Sequence, residues 1–276
     1  MSMAQHLAEI TDQQFADISE LVKRLTGINL HAGKKELVKA RLAKRTRQLK
    51  LGSLEEYIGF VRNDKSGREL VSMLDALSTN LTFFFREPAH FNFLKDRILP
   101  DIKGRNTKRL RIWSAGCSSG EEPYSIAILL NECIPDLDRW DAKILATDLS
   151  TRVLSIAMRG EYAKQRFRDT PGQLVQRYFD VVQTSPSKIY RTGPRIRKIV
   201  HFARLNLVEP WPMKGPFDVM FCRNVMIYFD KPTQNRLVKR YYDLLAPGGH
   251  LFLGHSESLT GTKHQFRYVM PATYVK

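Results

Sequence analysis

Two adjacent carboxylates, Glu121 and Glu122, stand where a helix would begin in the run Arg109–Ser125, which reads as an apolar strand, a turn of small residues and a helix start. Gly116 and Gly120 permit φ > 0 and close approach of a ligand, and Pro123 suits a first helical turn. Such a turn can present backbone N–H groups to a phosphate. Two carboxylates there would repel a pyrophosphate and favour a cation, and the amino group and sulfonium of S-adenosylmethionine have that charge. The glycines alone allow any adenosine cofactor, NAD included. Asp148 ends the next apolar run, Ile144–Asp148, where an acid can bind ribose hydroxyls. It could instead cap the following helix, but Ser150 can fill that position. No Ser-His-Asp or Cys-His arrangement is evident. Cys117, Cys133 and Cys222 are odd in number and lack CxxC spacing, so neither a disulfide framework nor a metal site is expected.

These residues need a sheet to position them. From about residue 108, strand-like runs alternate with helical ones, the order of a parallel sheet with helices on its faces. Leu244–Leu253 joins a helix to a strand through Pro-Gly-Gly, and the tail offers two strand-like pieces, Phe266–Met270 and Thr273–Val275. The expected fold is α/β: a class I methyltransferase, Rossmann-like, mostly parallel sheet with a closing antiparallel strand. Residues 180–204, rich in Val, Ile, Tyr and Arg with Ser-Pro and Gly-Pro turns, read as a small inserted antiparallel β subdomain. Residues 11–78 read as helical, opening with a capping box at Thr11 and Gln14. A second helix, near 34–49, carries Val38, Leu42 and Leu49 on one stripe and a basic arc opposite. The expected domains are 1–78 (helical), 79–107 (a linker reaching the cofactor site) and 108–276 (catalytic), with 180–204 inserted.

The chain has 276 residues, 43% hydrophobic and 26% charged, enough for a sizeable core. No apolar run approaches the roughly 18–20 residues needed to span a bilayer, and the N-terminus lacks signal-peptide blocks, so a cytoplasmic protein is expected. The net charge is +16. Residues 33–50 hold eight Lys/Arg against one Glu, and 159–204 hold eleven against three acids, so an acidic partner is implied: nucleic acid or an acidic protein surface.

Thr79–Glu87 (TNLTFFFRE), Gly120–Ser125 (GEEPYS), Phe221–Asp230 (FCRNVMIYFD) and Gly254–Glu257 (GHSE) together resemble the CheR family, bacterial chemotaxis-receptor glutamate methyltransferases. The similarity covers nearly the whole chain. It implies methyl transfer from S-adenosylmethionine to a glutamate carboxylate, giving a methyl ester and S-adenosylhomocysteine. It further implies that Asn80, Thr82 and Arg86 close over the cofactor, that Gly116 lies in its turn, and that Glu122 meets the methionine amine and Asp148 the ribose. Asn206 and Leu207 would meet the adenine, with Arg223 and Asn224 nearby. Arg86 and Tyr228 would orient the acceptor carboxylate. Lys35, Lys39, Arg41, Lys44 and Arg45 become candidates for docking acidic receptor helices. The insert resembles the subdomain that grips a receptor tail peptide in some members, though Thr184–Lys188 departs from the familiar pattern. Competing readings are a nucleic-acid methyltransferase, motivated by charge, and a non-catalytic module that binds the cofactor without turnover.

Overall fold

A computed structural model describes residues 10–77 and 82–276, which divide into two compact units. Asn80 lies outside the described residues.

The first unit contains four α-helices: α1 (Asp12–Thr26), α2 (Lys35–Gln48), α3 (Leu54–Asn63) and α4 (Arg68–Leu77). The Thr11 hydroxyl accepts the Gln14 N–H at 3.1 Å and the Gln14 side chain accepts the Thr11 N–H at 3.1 Å, so the capping box forms as read. Gly27, at φ 74°, ends α1. The buried stripe of α2 is Val38, Leu42 and Thr46; Leu49 is half-buried beyond the helix end. Glu69, buried on α4, accepts both arms of the Arg45 guanidinium (2.7 and 2.5 Å) and the Tyr57 hydroxyl (2.8 Å). Tyr228–Asp230 pack with this unit. Asn29 donates to the Tyr228 carbonyl at 2.7 Å, Ile28 bridges Phe229, and Lys23 pairs with Asp230 at 2.9 Å.

The second unit starts with a helical stretch, α5 (Pro88–Phe93), a π-helical turn (Leu94–Ile98) and α6 (Leu99–Lys103). Phe84, Phe91, Leu94, Ile98, Leu99 and Ile102 from this region all enter the main core. The described part of 79–107 is therefore built into the catalytic unit rather than joining two units as a linker. Next come β1 (Arg109–Ala115), α7 (Glu121–Cys133), β2 (Asp141–Asp148) and α8 (Thr151–Arg159). Then follow β3 (Glu161–Ala163), α9 (Gly172–Tyr178), β4 (Phe179–Gln183), β5 (Ile189–Thr192), α10 (Pro194–Arg197) and β6 (Val200–Arg204). The chain finishes with β7 (Phe217–Cys222), α11 (Lys231–Leu244), β8 (Leu245–Leu253), β9 (Arg267–Met270) and β10 (Thr273–Val275).

Seven strands form one sheet in the order β6-β2-β1-β7-β8-β10-β9; the first five are mutually parallel, and β10 runs antiparallel to β8 and β9. The mostly parallel sheet with an antiparallel close, expected from the sequence, is what forms. All six residues of β7 are buried, as a strand covered on both faces requires.

The inserted sheet, ordered β3-β5-β4, differs in extent from the expected 180–204. It begins at Glu161, because Gly160 (φ 68°) ends α8 and turns straight into β3; a side chain at Gly160 would lie 2.1 Å from the Thr192 hydroxyl. At the other end, Val200–Arg204 is the edge strand of the main sheet, paired with β2.

Candidate active site

The turn between β1 and α7 is pinned to the end of β2. The N–H groups of Gly116 and Cys117 both donate to the Thr147 carbonyl at 2.8 Å, and Ser118 N–H donates to the Asp148 carboxylate at 2.9 Å. The other Asp148 oxygen accepts Ser150 N–H, while Ser150 itself caps α8 through Val153. The half-buried Asp148 thus supports the turn. The Ser118 hydroxyl is buried without a hydrogen-bond partner. Both glycines have the left-handed backbone expected, but what crowds them is protein. A Cβ at Gly116 would sit 2.4 Å from the Val225 side chain, and one at Gly120 2.8 Å from that of Ala157.

The two carboxylates at the start of α7 part company. Glu122 accepts the Ser114 hydroxyl at 2.6 Å and Arg223 Nη1 at 3.0 Å. Glu121 is fully buried and faces the Ser119 hydroxyl (2.7 Å) and Arg166 (3.3 Å). Glu121 therefore does not share the ligand-facing role that the adjacent acids suggest in sequence. Its partner Arg166 also donates to the Thr82 carbonyl at 2.8 Å, linking α7 to the segment before Arg86. Burial pushes the Glu122 carboxyl up, opposed by Arg223 and Ser114.

Arg223, at the end of β7, is the hub. Its side chain is 3% exposed. Beyond Glu122, it donates from Nη2 to Glu87 at 3.0 Å and to the Arg86 carbonyl, and from Nε to Glu87 at 3.3 Å. It was expected among the cofactor contacts; its guanidinium instead joins three protein acceptors. Two carboxylates flank this guanidinium, and the Arg86 guanidinium lies 4.0 Å from the Glu87 carboxylate. Burial raises the Glu87 carboxyl, but Arg223 outweighs that and holds it below the ordinary value. His90 and His255 complete the cluster: the three side chains of Glu87, His90 and His255 bring possible metal ligands within 4.8 Å of one another. Arg223 already occupies the Glu87 carboxylate in that trio. Burial, aided by Arg223, pushes the His90 imidazole down to about 4, so it is neutral at neutral pH.

The segment 82–87 is held residue by residue. Phe84 donates to the Arg166 carbonyl (3.0 Å), and its ring stacks on Phe167 at 4.7 Å and meets Tyr162 and Phe179 edge-on. Phe85 N–H donates to the Ser125 hydroxyl at 2.9 Å. Phe83 lies under the Arg86 and Arg168 guanidinium groups. The Arg86 side chain is 28% exposed. Phe85, Glu87, Ser118 and Asn224 are all non-glycine residues at φ between 49° and 59°. Such backbone costs about 1–3 kcal/mol each and persists only where surroundings enforce it, typically at functional sites.

With that geometry in place, the comparisons decide the family. A family model described as "CheR methyltransferase, SAM binding domain" matches residues 80–275, and one described as "CheR methyltransferase, all-alpha domain" matches residues 13–78. The chain belongs to the CheR methyltransferase family. It is 44% identical to "Chemotaxis protein methyltransferase 2" of Pseudomonas aeruginosa over 269 residues, covering 96% of this chain and 93% of the relative. It is 39% identical to the "Chemotaxis protein methyltransferase" of Borreliella burgdorferi, covering 97% and 95%. The protein of the same name from Escherichia coli K12 is 38% identical, covering 96% and 91%. The CheR chain is an S-adenosylmethionine-dependent methyltransferase, as its sequence motifs led one to expect. No helix among the described residues is long and apolar enough to cross a membrane.

The remaining expected positions vary in how they are used. In this CheR protein Asn206 is buried, its side chain accepting Val208 N–H and donating to Glu209 at 2.9 Å. The Leu207 carbonyl accepts Trp211 Nε1 (3.1 Å) and Arg240 Nη1 (2.8 Å), and the Arg240 guanidinium lies 3.6 Å from the Trp211 ring. Arg240, Trp211, Arg166, Ser114 and Ser125 went unmarked in the sequence, since only long-range contacts reveal them. Glu87 lay within a quoted motif from which Asn80, Thr82 and Arg86 were taken and Glu87 was not. Tyr228 belongs to the helical unit, with Lys34 Nζ 4.9 Å from its ring. Of the five docking candidates on α2, Arg45 pairs with Glu69, Arg41 donates to the Leu77 carbonyl, Lys35 pairs with Asp12 at 2.6 Å, Lys39 lies 3.8 Å from Glu36, and Lys44 is exposed. Arg45 and Arg41 thus serve the helical unit's own packing.

Proposed function

We propose that this chain transfers the methyl group of S-adenosylmethionine to glutamate side chains of chemotaxis receptors, leaving a methyl ester and S-adenosylhomocysteine. The observation that carries this reading is the Glu122–Arg223–Glu87 cluster, directly bonded to the backbone of Arg86, whose partly exposed guanidinium lies 4.0 Å from Glu87. The remaining lone pairs of Glu122 suit a methionine amine, and the Asp148 carboxylate and orphan Ser118 hydroxyl suit ribose hydroxyls. Asn206 and Leu207 fall to the adenine, and Asn80, Thr82, Gly116 and Asn224 to the cofactor's surroundings. When bound, S-adenosylmethionine supplies a methyl group on a positively charged sulfur.

A glutamate acceptor has a pKa of roughly 4.3 and is already an anion at neutral pH. Its oxygen forms the new C–O bond as the C–S bond breaks, and no proton has to move. A general base is unnecessary, which agrees with the absence of a nucleophile–base pair in the sequence. Alignment and exclusion of water are the tasks left. The Arg86 guanidinium orients the planar carboxylate.

The +16 charge has a home in the same reading, as a surface for acidic receptor helices, with Lys35, Lys39 and Lys44 contributing. For a receptor tail, the support is a cavity of about 700 Å³ in the insert. Lys164, Arg168 and Lys188 line it beside Phe167, Phe179 and Tyr190. Strand β4 borders it as the edge of its sheet, with Val181 and Val182 exposed.

The test uses S-adenosylmethionine with a tritiated methyl group, receptor-containing membranes and, separately, cellular RNA. Label on receptor protein, released as methanol by mild alkali, is the expected result. Label on RNA, or alkali-stable label on protein, would overturn the reading. Within the same assay, Arg86→Ala should cut turnover more than it weakens binding of S-adenosylhomocysteine. Equal losses would make Arg86 a cofactor ligand only.

A further inference from the structure

Of the Gly254–Glu257 motif, His255 lies beside Glu87 and His90, while Glu257 has no part in the assignments above. Glu257 is 7% exposed, and its two carboxylate oxygens accept three backbone N–H groups. Oε2 takes Gly254 at 2.6 Å and Asn224 at 2.7 Å; Oε1 takes Ile227 at 3.1 Å. Gly254 follows β8, and Asn224 and Ile227 belong to the turn after β7, so one side chain ties two strand ends together. The turn needs that tie. Asn224 sits at φ 59°, a left-handed conformation that asparagine tolerates better than other side chains but that its surroundings must still hold in place. Gly254 is equally constrained: a side-chain carbon there would lie 2.4 Å from Asn224 Nδ2 and 2.9 Å from the Glu257 carboxylate. The residue immediately before Asn224 is Arg223, the hub of the Glu122–Glu87 cluster, and the residue after Ile227 is Tyr228.

We propose that Glu257 is a positioning residue for methyl transfer. Its carboxylate fixes the 224–227 turn, and so the aim of Arg223, without touching donor or acceptor itself. This rests on the methyl-transfer reading above only for the turnover assay. The chemistry is specific to a carboxylate. An amide of the same shape presents an N–H to one of the backbone N–H groups and loses at least one of the three bonds, while the side chain stays buried.

The experiment compares wild type with Glu257→Gln, Glu257→Asp and a core truncation remote from the site, Leu137→Ala. For each, turnover on receptor membranes, affinity for S-adenosylhomocysteine by calorimetry, melting temperature and amide hydrogen exchange are measured. Displacing reacting groups by about 1 Å can cost on the order of 10²-fold, and a kcat loss of that order is expected for Glu257→Gln. Product affinity should change by no more than about threefold, because Glu122 keeps its Ser114 bond. Exchange should quicken at Asn224 and Ile227 and not at residues 116–122. Glu257→Asp, which keeps the charge but is one methylene shorter, should recover part of kcat. Unchanged kcat, unchanged exchange at the turn, or parallel loss of kcat, affinity and melting temperature as in Leu137→Ala would overturn the proposal. A wild-type enzyme that fails to label receptor overturns the acceptor assignment instead, and the exchange data still judge Glu257.

Discussion

Arg223 sits between two carboxylates at 3.0 Å each; its removal would leave Glu122 with the Ser114 hydroxyl alone and Glu87 with the more distant Arg86 guanidinium at 4.0 Å. Breaking a buried pair in this way typically costs about 3–5 kcal/mol, more than the intact pair contributes. Urea denaturation of Arg223→Met should show a loss in that range, and adding Glu87→Gln should restore part of it. A loss below about 1 kcal/mol, the level of a surface pair, would contradict the hub. Gly116 gives a second test at this scale. Gly116→Ala places a methyl 2.4 Å from Val225 at φ 99°, so affinity for S-adenosylhomocysteine and melting temperature should both fall. Val225→Ala in the same chain removes the clash but not the backbone strain and should recover part of the loss; no recovery would mean that strain alone acts. Glu122 and Asp148 were legible in the sequence because short spacing to a glycine turn fixes their place. The Arg223 clamp was not, since Glu122 and Glu87 lie 101 and 136 residues away along the chain. For the same reason Glu121 and Glu122 looked alike: only the fold turns one toward Arg166 and the other toward Arg223.

The elements were more readable than their boundaries. Apolar runs flanked by Gly and Asp gave β1, β2, β7 and β8, because buried parallel strands are continuous hydrophobic stretches. The capping box and Gly27 gave α1 in the same way. The start of the insert was missed because β3 is three residues long, too short for any periodicity. The 79–107 stretch was read as a linker reaching the cofactor site, and the part of it that the structure describes carries core residues. In the fold they anchor through rings, Phe84 against Tyr162, Phe167 and Phe179. Through Phe84, the insert and the Arg86 segment share one core. Phe84→Ala should therefore lower stability by about 3–5 kcal/mol, measured by urea denaturation. It should also speed amide exchange in 82–87 and in β4 together. Faster exchange in one without the other would separate the two elements.

At the scale of the whole chain, charge and buried histidine set how stability depends on pH. Neutral His90, held near 4 against an ordinary 6.5, is fully accommodated above about pH 6.5. Between 6.5 and 4 the unfolded chain takes up the proton and the folded one does not, so stability falls as pH drops through that window, by roughly 3 kcal/mol in all. His90→Gln should flatten this limb in denaturation midpoints measured from pH 4 to 7; an unchanged slope would put the dependence elsewhere. The two basic stretches were plain in composition, but composition could not tell docking cations from packing ones. Arg45 and Arg41 proved to be of the second kind, because Glu69 and the Leu77 carbonyl lie against them. What the assembled molecule is proposed to do is methylate a carboxylate, and the most direct measurement is the identity of the methylated atom. Receptor incubated with the enzyme and S-adenosylmethionine, digested and sequenced by mass spectrometry, should carry methyl esters on glutamate side chains. Methyl groups on lysine nitrogen, or on no receptor residue at all, would contradict the account.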